Sequence, residues 1–433
     1  MTAYIEATKY IESIPKFAGK NTVEDIGRLL ALLVGDEIKS RIIHVAGTNG
    51  KGSVCAYLRS VLQESNRSVG MFISPHLETM RERISLNGEW ISKEEFTDSF
   101  EKVKRLVAST EGAEFSHPSF FEYLFLMAMC YFKEKQPDYI ILETGLGGRL
   151  DATNCIRRPA VCIITEIGYD HMQYLGDTLE EIAAEKAGIM KTGVPVIFTD
   201  KRPETTKILK KIAQKEISPV VMLTKEQILN VNRDNKTIDF SLHTGYYNYV
   251  SLTLHTTAQY QTENASLAVL ATEALKDELI TPYSVRRGLG AAFWPGRMEE
   301  VLPGVYLDGA HNEDGIEAFL NSVREDGCRG KRLLLFGVVE DKRYEIMIRM
   351  IADSCLFSQV VVTGLETDRS ASMDKLKKLW DQCGGTVHRF YEDAGEAYRD
   401  LLFSKGAEDT AYVVGSLYLI GQIKTLMRRM QDD

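Results

Sequence analysis

No two of the seven cysteines (at 55, 130, 155, 162, 328, 355 and 383) stand in a CxxC spacing, so neither a zinc site nor a disulfide framework is expected. Scattered thiols of this kind read as reduced and mostly buried, the usage of a cytoplasmic protein. No apolar run approaches the roughly 20 residues that cross a bilayer. The opening MTAYIEATKY lacks the basic start and apolar core of a secretory signal. Surplus positive charge is missing too. The formal net charge is −9, which argues against a general nucleic-acid or membrane-surface binder. An anionic ligand must then be held by local cations and backbone N–H groups. There is no internal repeat and no low-complexity segment.

What is present is an ordinary globular composition, 44% hydrophobic and 26% charged, in a chain of 433 residues. That length exceeds one core, so two domains are expected. Apolar β-rich runs alternate with amphipathic stretches, the pattern of an α/β protein with a largely parallel sheet. Arg41–Ala46, Val69–Ile73, Asp138–Thr144, Ala160–Thr165 and Val194–Thr199 read as strands, and Lys51–Ser65 as a helix. Asn87-Gly88 reads as a type I′ hairpin. Ser92 with Glu95, and Thr178 with Glu181, read as capping boxes. After about residue 235 come two polar-alternating strands, Thr237–Leu242 and Tyr249–His255, then a helix over Glu263–Lys276. Trp294-Pro295-Gly296 breaks both kinds of element and marks the boundary. Beyond it YLDGA, RLLLFGV, QVVVTG and AYVVG are strand-like, each followed by a helical stretch. The expected fold is α/β: an N-terminal P-loop-type doubly wound sheet domain with a second, smaller Rossmann-like α/β domain.

The strongest local signal is HVAGTNGKGSV at 44–54. A strand runs into three glycines and a helix follows, so backbone N–H groups and the positive end of the helix dipole face one point. Lys51 would lie on the β- or γ-phosphate of a nucleotide and the Ser53 hydroxyl near a metal. The common P-loop differs, since Val45 stands at its first glycine and Gly52 parts Lys51 from Ser53. A glycine-rich turn with a solvated lysine is the bland reading. The loop GLGGR at 145–149 is no dinucleotide fingerprint, because GxGxxG is absent.

GTNGKGS is how the Mur ligase superfamily writes this element, and HVAGTNGKGSV closely resembles its folylpolyglutamate synthase and dihydrofolate synthase branch. The resemblance continues through ISPHLETMRERISLNG (73–88), ETGLGGRLDATN (143–154), IGYDHMQYLGDTLEEIAAEKAGIMK (167–191), QTENASLA (261–268), WPGRME (294–299), LDGAHN (307–312) and GSLYLIG (415–421). Only 200–255 is silent.

The resemblance implies an ATP-dependent amide ligase that joins L-glutamate to a folate, or to dihydropteroate, through an acyl phosphate. It implies residues 1–295 as the ATP-binding, Mur ligase central-type domain with the folate/pterin site, and 296–433 as the C-terminal glutamate-ligase domain. Thr48, Asn49, Gly50, Lys51, Gly52, Ser53, Asn264, Arg297 and Asp308 would contact ATP. Ser74, Glu143 and His171 would hold two magnesium ions. Lys186 would be carbamylated. Phe120, Phe121, Glu122, Leu150, Asp151 and Ala152 would form the pterin side, and His311 and Ser416 the glutamate side. Lys51, Lys186, His171 and His311 would be the catalytic set. Small molecules would be the only partners, with no nucleic acid and no membrane, and the chain would be a cytoplasmic monomer.

Taken by residue type alone, several of these have plainer readings. Ser74 before Pro75 can be a turn residue, Glu143 a structural ion pair and His171 a core histidine. Lys186, in a helix, reads as exposed. FFEY at 120–123 reads as core packing, Arg297 as a surface salt bridge and Asp308 as a helix cap. The family usually has a histidine where Tyr260 stands, which leaves that neighbouring contact open. Three other readings remain alongside: a cell-wall Mur ligase, a phosphotransferase or NTPase switch, and a nucleotide-binding regulator without catalysis.

Overall fold

The computed structural model describes residues 2–15, 21–35, 38–110, 115–234, 236–384 and 387–432. These form three sheets. The largest has eight strands, in the spatial order Glu89–Trp90, Ile84–Leu86, Val69–Phe72, Tyr139–Glu143, Arg41–Ala46, Val161–Ile164, Val196–Thr199 and Val220–Leu223. The last six run parallel, and the two short edge strands are antiparallel. Arg41–Ala46 is RIIHVA, buried at every residue after Arg41, as a strand covered on both faces requires. Ile43 and Val45 enter the core shared with helices Lys51–Glu64 and Gln261–Ala274. Ile42 faces the opposite core, under helices Val23–Val34 and Phe120–Lys135.

Local sequence signals account for much of this. Asn87 and Gly88 both have positive φ (53° and 87°), as a type I′ turn demands. Ser92 Oγ accepts the Glu95 N–H at 3.1 Å and Thr178 Oγ1 accepts that of Glu181 at 3.2 Å, and each glutamate returns a bond to its cap. The alternating strands are found as Ile238–His243 and Asn248–Leu254, and the helix after them begins two residues early, at Gln261. They pair with a third strand, Ile228–Arg233, whose ILNVNR is largely exposed and carries no alternation to announce it.

The third sheet has six strands, in the order Glu299–Leu302, Val305–Leu307, Thr410–Val414, Arg332–Phe336, Gln359–Thr363 and Val387–Tyr391. Only the first is antiparallel to its neighbour. Trp294-Pro295-Gly296 lies in the irregular stretch between helix Pro282–Ala291 and Glu299. In both large sheets the loops that leave the carboxyl ends of the parallel strands meet, which is where open α/β sheets place their sites. Asn49 pairs with Asn312, Asp170 with Lys342, Arg202 with Asp314 and Glu78 with Arg428 across this seam. Among the described residues no helix is long and apolar enough to cross a membrane.

Candidate active site

The chain leaves strand Arg41–Ala46 and turns into helix Lys51–Glu64 through Gly50, whose φ of 86° is left-handed. A Cβ on Gly50 would lie 2.3 Å from Asn264 Oδ1. Gly50→Ala is therefore expected to lose about 1–3 kcal/mol of stability, from strain and crowding together, along with most nucleotide binding. Thermal melts with and without nucleotide check this, and an unchanged melt would remove the close approach from the argument. Gly52 has the same role against Trp294, whose ring a Cβ would meet at 2.8 Å.

Lys51 folds back over this loop, its Nζ donating to Gly47 O at 3.0 Å and Thr48 O at 3.1 Å. The buried Ser53 Oγ accepts from Gln261 Nε2 (3.1 Å), and Gln261 Oε1 accepts from Asn264 Nδ2 (3.1 Å). Two amides on one helix thus fix the start of the other. Thr48 exchanges bonds with Gly168, donating to its carbonyl at 3.1 Å and accepting its N–H at 3.0 Å. That ties the loop to the segment carrying Asp170 and His171.

Glu143 ends its strand buried, and its Oε2 accepts the Ser74 N–H at 3.0 Å. Burial raises its carboxyl above the usual range, while the Lys51, Arg297 and Arg83 cations pull it back. His171 sits at a left-handed φ of 51°. Burial lowers its imidazole to about 4, against the pull of Asp170, so it is neutral with a lone pair to offer. Magnesium suits this set, since a carboxylate, a hydroxyl and a neutral imidazole leave positions for phosphate oxygens and waters. Among the described residues no three His, Cys, Asp or Glu side chains gather where they could hold a metal ion.

Lys186 corrects the reading by residue type: it is only 3% exposed. Its Nζ donates to Gly47 O at 2.9 Å, the same carbonyl that Lys51 holds. Burial, then the neighbouring Lys51 ammonium, lowers its amine to about 7.

The pterin-side set divides. Phe121 packs on Phe72 with centroids 5.4 Å apart, and Phe120 lies under the Arg83 guanidinium at 5.2 Å. Glu122 Oε2 accepts the Ser119 N–H in a capping box. Asp151 is buried and bonds its own loop, accepting the N–H groups of Gly145, Leu146 and Thr153 and the Thr153 hydroxyl. Ala152 is buried beside it, and Leu150 stands 70% exposed. The two carboxylates thus do local structural work, whatever their neighbours contact.

From the second sheet, Asp308 is buried at the end of its strand and accepts from Ala310 N, Met298 N and Tyr260 Oη. Burial raises its carboxyl, and Arg297 opposes that. Asn312, not Asp308, caps the next helix, accepting the Gly315 N–H at 2.9 Å. Arg297 borders an open cavity of about 300 Å³, lined also by Ser53, Gln261, Phe293, Trp294 and Tyr306. His311 Nδ1–H donates to Gly309 O (2.7 Å), and Nε2 faces Asp170 at 3.7 Å. Ser416 is buried, its Oγ accepting the Tyr418 N–H at 3.1 Å.

Two centres lie outside the sequence expectations. Asp170 gathers Lys342 (2.5 Å), His311 and Asn312 (3.3 Å) from the second sheet. Its burial would raise the carboxyl, but the His311 ring and the Lys342 ammonium facing it outweigh that and hold it well below the usual range. Arg83 is buried between Phe120 and Glu143, its Nε donating to His76 at 2.7 Å, and burial lowers it to about 10. Position was the available clue, since Lys342 follows a strand end and Arg83 lies inside a motif.

A glycine-rich phosphate loop on one α/β sheet, closed by an arginine and an aspartate from a second, defines an ATP-dependent ligase of the Mur type. Residues 45–272 match the Mur ligase middle domain, and 296–417 the Mur ligase glutamate ligase domain. The chain is 36% identical, over 99% of its length and 100% of the relative's, to the dihydrofolate synthase/folylpolyglutamate synthase of Bacillus subtilis. It is 30% identical to the folylpolyglutamate synthase of Lacticaseibacillus casei, over 79% of this chain and 82% of that one. Among solved structures, a Thermotoga maritima folylpolyglutamate synthase superposes with a TM-score of 0.84 at 32% identity, covering 99% of this chain and 97% of that one. Escherichia coli FolC in complex with DHPP and ADP gives 0.86 at 26% identity, covering 99% and 98%. The chain belongs to the folylpolyglutamate synthase/dihydrofolate synthase family of Mur-type ligases.

Proposed function

We propose that this ligase joins the α-amine of L-glutamate to a carboxylate of a folate, with ATP converted to ADP and phosphate. The observation that carries the reading is that Lys51 from one sheet and Arg297 from beside the other both act on the buried Glu143, while Arg297 acts also on the buried Asp308. A carboxylate is a poor electrophile, so it is first phosphorylated. Lys51 and Arg297 offset charge on the phosphoryl group in transit, which is mostly positioning and electrostatics. Asp308 takes ribose hydroxyls, and the aromatic-walled cavity takes the base. Ser74, Glu143 and His171 would hold two magnesium ions, which would neutralise phosphate charge. The glutamate amine then attacks the acyl carbon. The tetrahedral intermediate collapses to amide and phosphate, while His311 receives the proton the amine gives up. Contact between the two sheets excludes water from the acyl phosphate.

We further propose residues 1–295 as the ATP and folate domain and 296–433 as the glutamate domain, a carbamylated Lys186, and a cytoplasmic monomer. A second acceptor, dihydropteroate, is favoured by the 36% identity to a relative named for both activities. The test is incubation with ATP, magnesium and glutamate against tetrahydrofolate and dihydropteroate separately, with products read by mass. Glutamylated product from either supports the reading, whereas nucleotide consumed without glutamate would indicate an NTPase instead. Ser416→Ala is expected to raise the glutamate KM about tenfold, the loss of one hydrogen bond, with kcat little changed. An unaltered KM would take Ser416 off the glutamate side.

A further inference from the structure

Asn312 makes more bonds than a helix cap needs. Its Nδ2 donates to Asn49 Oδ1 at 3.0 Å and to Asp170 Oδ2 at 3.3 Å. Its Oδ1 accepts the Asn49 Nδ2 at 3.2 Å and the Gly315 N–H at 2.9 Å. Both donors and both acceptor positions of the amide are in use, and the side chain is buried (5% exposed). The partner is equally constrained. Asn49 is the third residue of the phosphate loop, and its carbonyl accepts the Thr165 hydroxyl at 2.6 Å. Two primary amides, 263 positions apart, therefore form a closed two-bond pair across the seam between the sheets.

A helix cap alone would need only the oxygen. Serine, threonine and aspartate all supply it, but none supplies the N–H groups aimed at Asn49 and Asp170. Asn312 also follows His311 directly, and the strand before it ends at Leu307, immediately ahead of Asp308. The amide thus links the loop that grips phosphate to the short segment that carries the second sheet's contributions.

We propose that Asn312 is a positioning residue, whose paired amide with Asn49 sets residues 308–311 against the phosphate loop in the geometry for reaction. This rests on the ligase reading of the site. The pair should act on the assembled site and not on nucleotide capture, which the loop performs with its own backbone.

The test compares Asn312→Ser with Asn312→Asp. Both keep a good cap, so the melting temperature of Asn312→Ser should stay within a few degrees of the parent, whereas Asn312→Asp should melt lower. Both lose the amide pair, and Asp adds a negative charge against Asp170. The expected result is a fall in kcat on the order of 10- to 100-fold for Ser and more for Asp, with the ADP dissociation constant within about threefold of the parent. The double variant Asn49→Ala/Asn312→Ser should lose no more kcat than the worse single variant, because both changes break the same pair. Parent-like kcat in Asn312→Ser, or fully multiplicative losses in the double variant, would overturn the proposal. So would a melting temperature of Asn312→Ser that falls along with activity, which would leave the amide pair a purely structural bond. If the parent itself makes no glutamylated product, the ligase reading fails instead, which is a separate outcome.

Discussion

Lys51→Ala is expected to reduce ligation by at least about 10³-fold while leaving the fold in place, because the only charge aimed into the phosphate loop from its own helix is lost. Stability should change little. Lys51 bonds two carbonyls, and Gly47 O keeps its bond from Lys186. Among the described residues Lys51 makes no ion pair, and Glu143, the buried carboxylate it acts on, keeps Arg297 and Arg83 near it. The loss has a second consequence. Lys51 is one of the two causes that hold the Lys186 amine down, so removing it lets that amine climb back toward its ordinary range. The variant should therefore lose catalysis twice over, once at the phosphate and once at Lys186. Lys51→Arg keeps the charge but not the compact ammonium, and should recover only a small part. Near-normal ligation by Lys51→Ala, measured as glutamylated product per ATP consumed, would mean that the loop does not hold the reacting phosphates.

Local pattern announced the phosphate loop, since glycines, a lysine and the change from strand to helix all fall within eleven residues. Ser74, Glu143 and Asp308 were legible for a related reason: each ends or follows a strand, and strand ends converge in this fold. Burial and long-range pairing were not legible. LEEIAAEKA reads as a surface helix, and nothing local shows that the GLGGR loop closes over it. Gly148 lies so near that a Cβ there would be 2.7 Å from Lys186 O. Asp170 and Lys342 are 172 positions apart and Asn49 and Asn312 are 263, and neither pair has a periodicity that could link them. For Glu122 and Asp151 a local structural signal stands in the sequence beside the pterin-side expectation. Ser119-x-x-Glu122 is a capping box, and Asp151 stands two residues before Thr153, the spacing at which an aspartate bonds its own backbone.

Lys186 should make the enzyme respond to carbon dioxide, and the response should grow with pH. A carbamate forms on a neutral amine. With the amine at about 7, roughly a tenth is neutral at pH 6 and roughly nine-tenths at pH 8. An ordinary lysine, at 10.5, would be almost wholly charged at both. Depleting bicarbonate should therefore lower kcat severalfold at pH 8, and adding it back should restore the rate, with a smaller change at pH 6. Stability carries the same signature. Between about pH 7 and 10.5 the unfolded chain binds a proton on Lys186 that the folded chain lacks, so the unmodified protein gains stability as pH rises through that window. Below pH 7 the buried amine is charged and the penalty is present in full. A carbamate replaces the neutral amine with an anion that the Lys51 ammonium attracts and the Asp170 and Asp151 carboxylates oppose, so bicarbonate is expected to act on the rate. Lys186→Met removes the buried amine and the penalty, and is expected to stabilise the fold by a few kcal/mol at neutral pH while abolishing ligation and all response to bicarbonate. The deciding measurement is a carbamate signal in ¹³C NMR with labelled bicarbonate, present in the parent and absent in Lys186→Met. A parent that shows no such signal, and turns over equally well when depleted of carbon dioxide at pH 8, would leave Lys186 as a neutral buried amine bonded to Gly47 and nothing more.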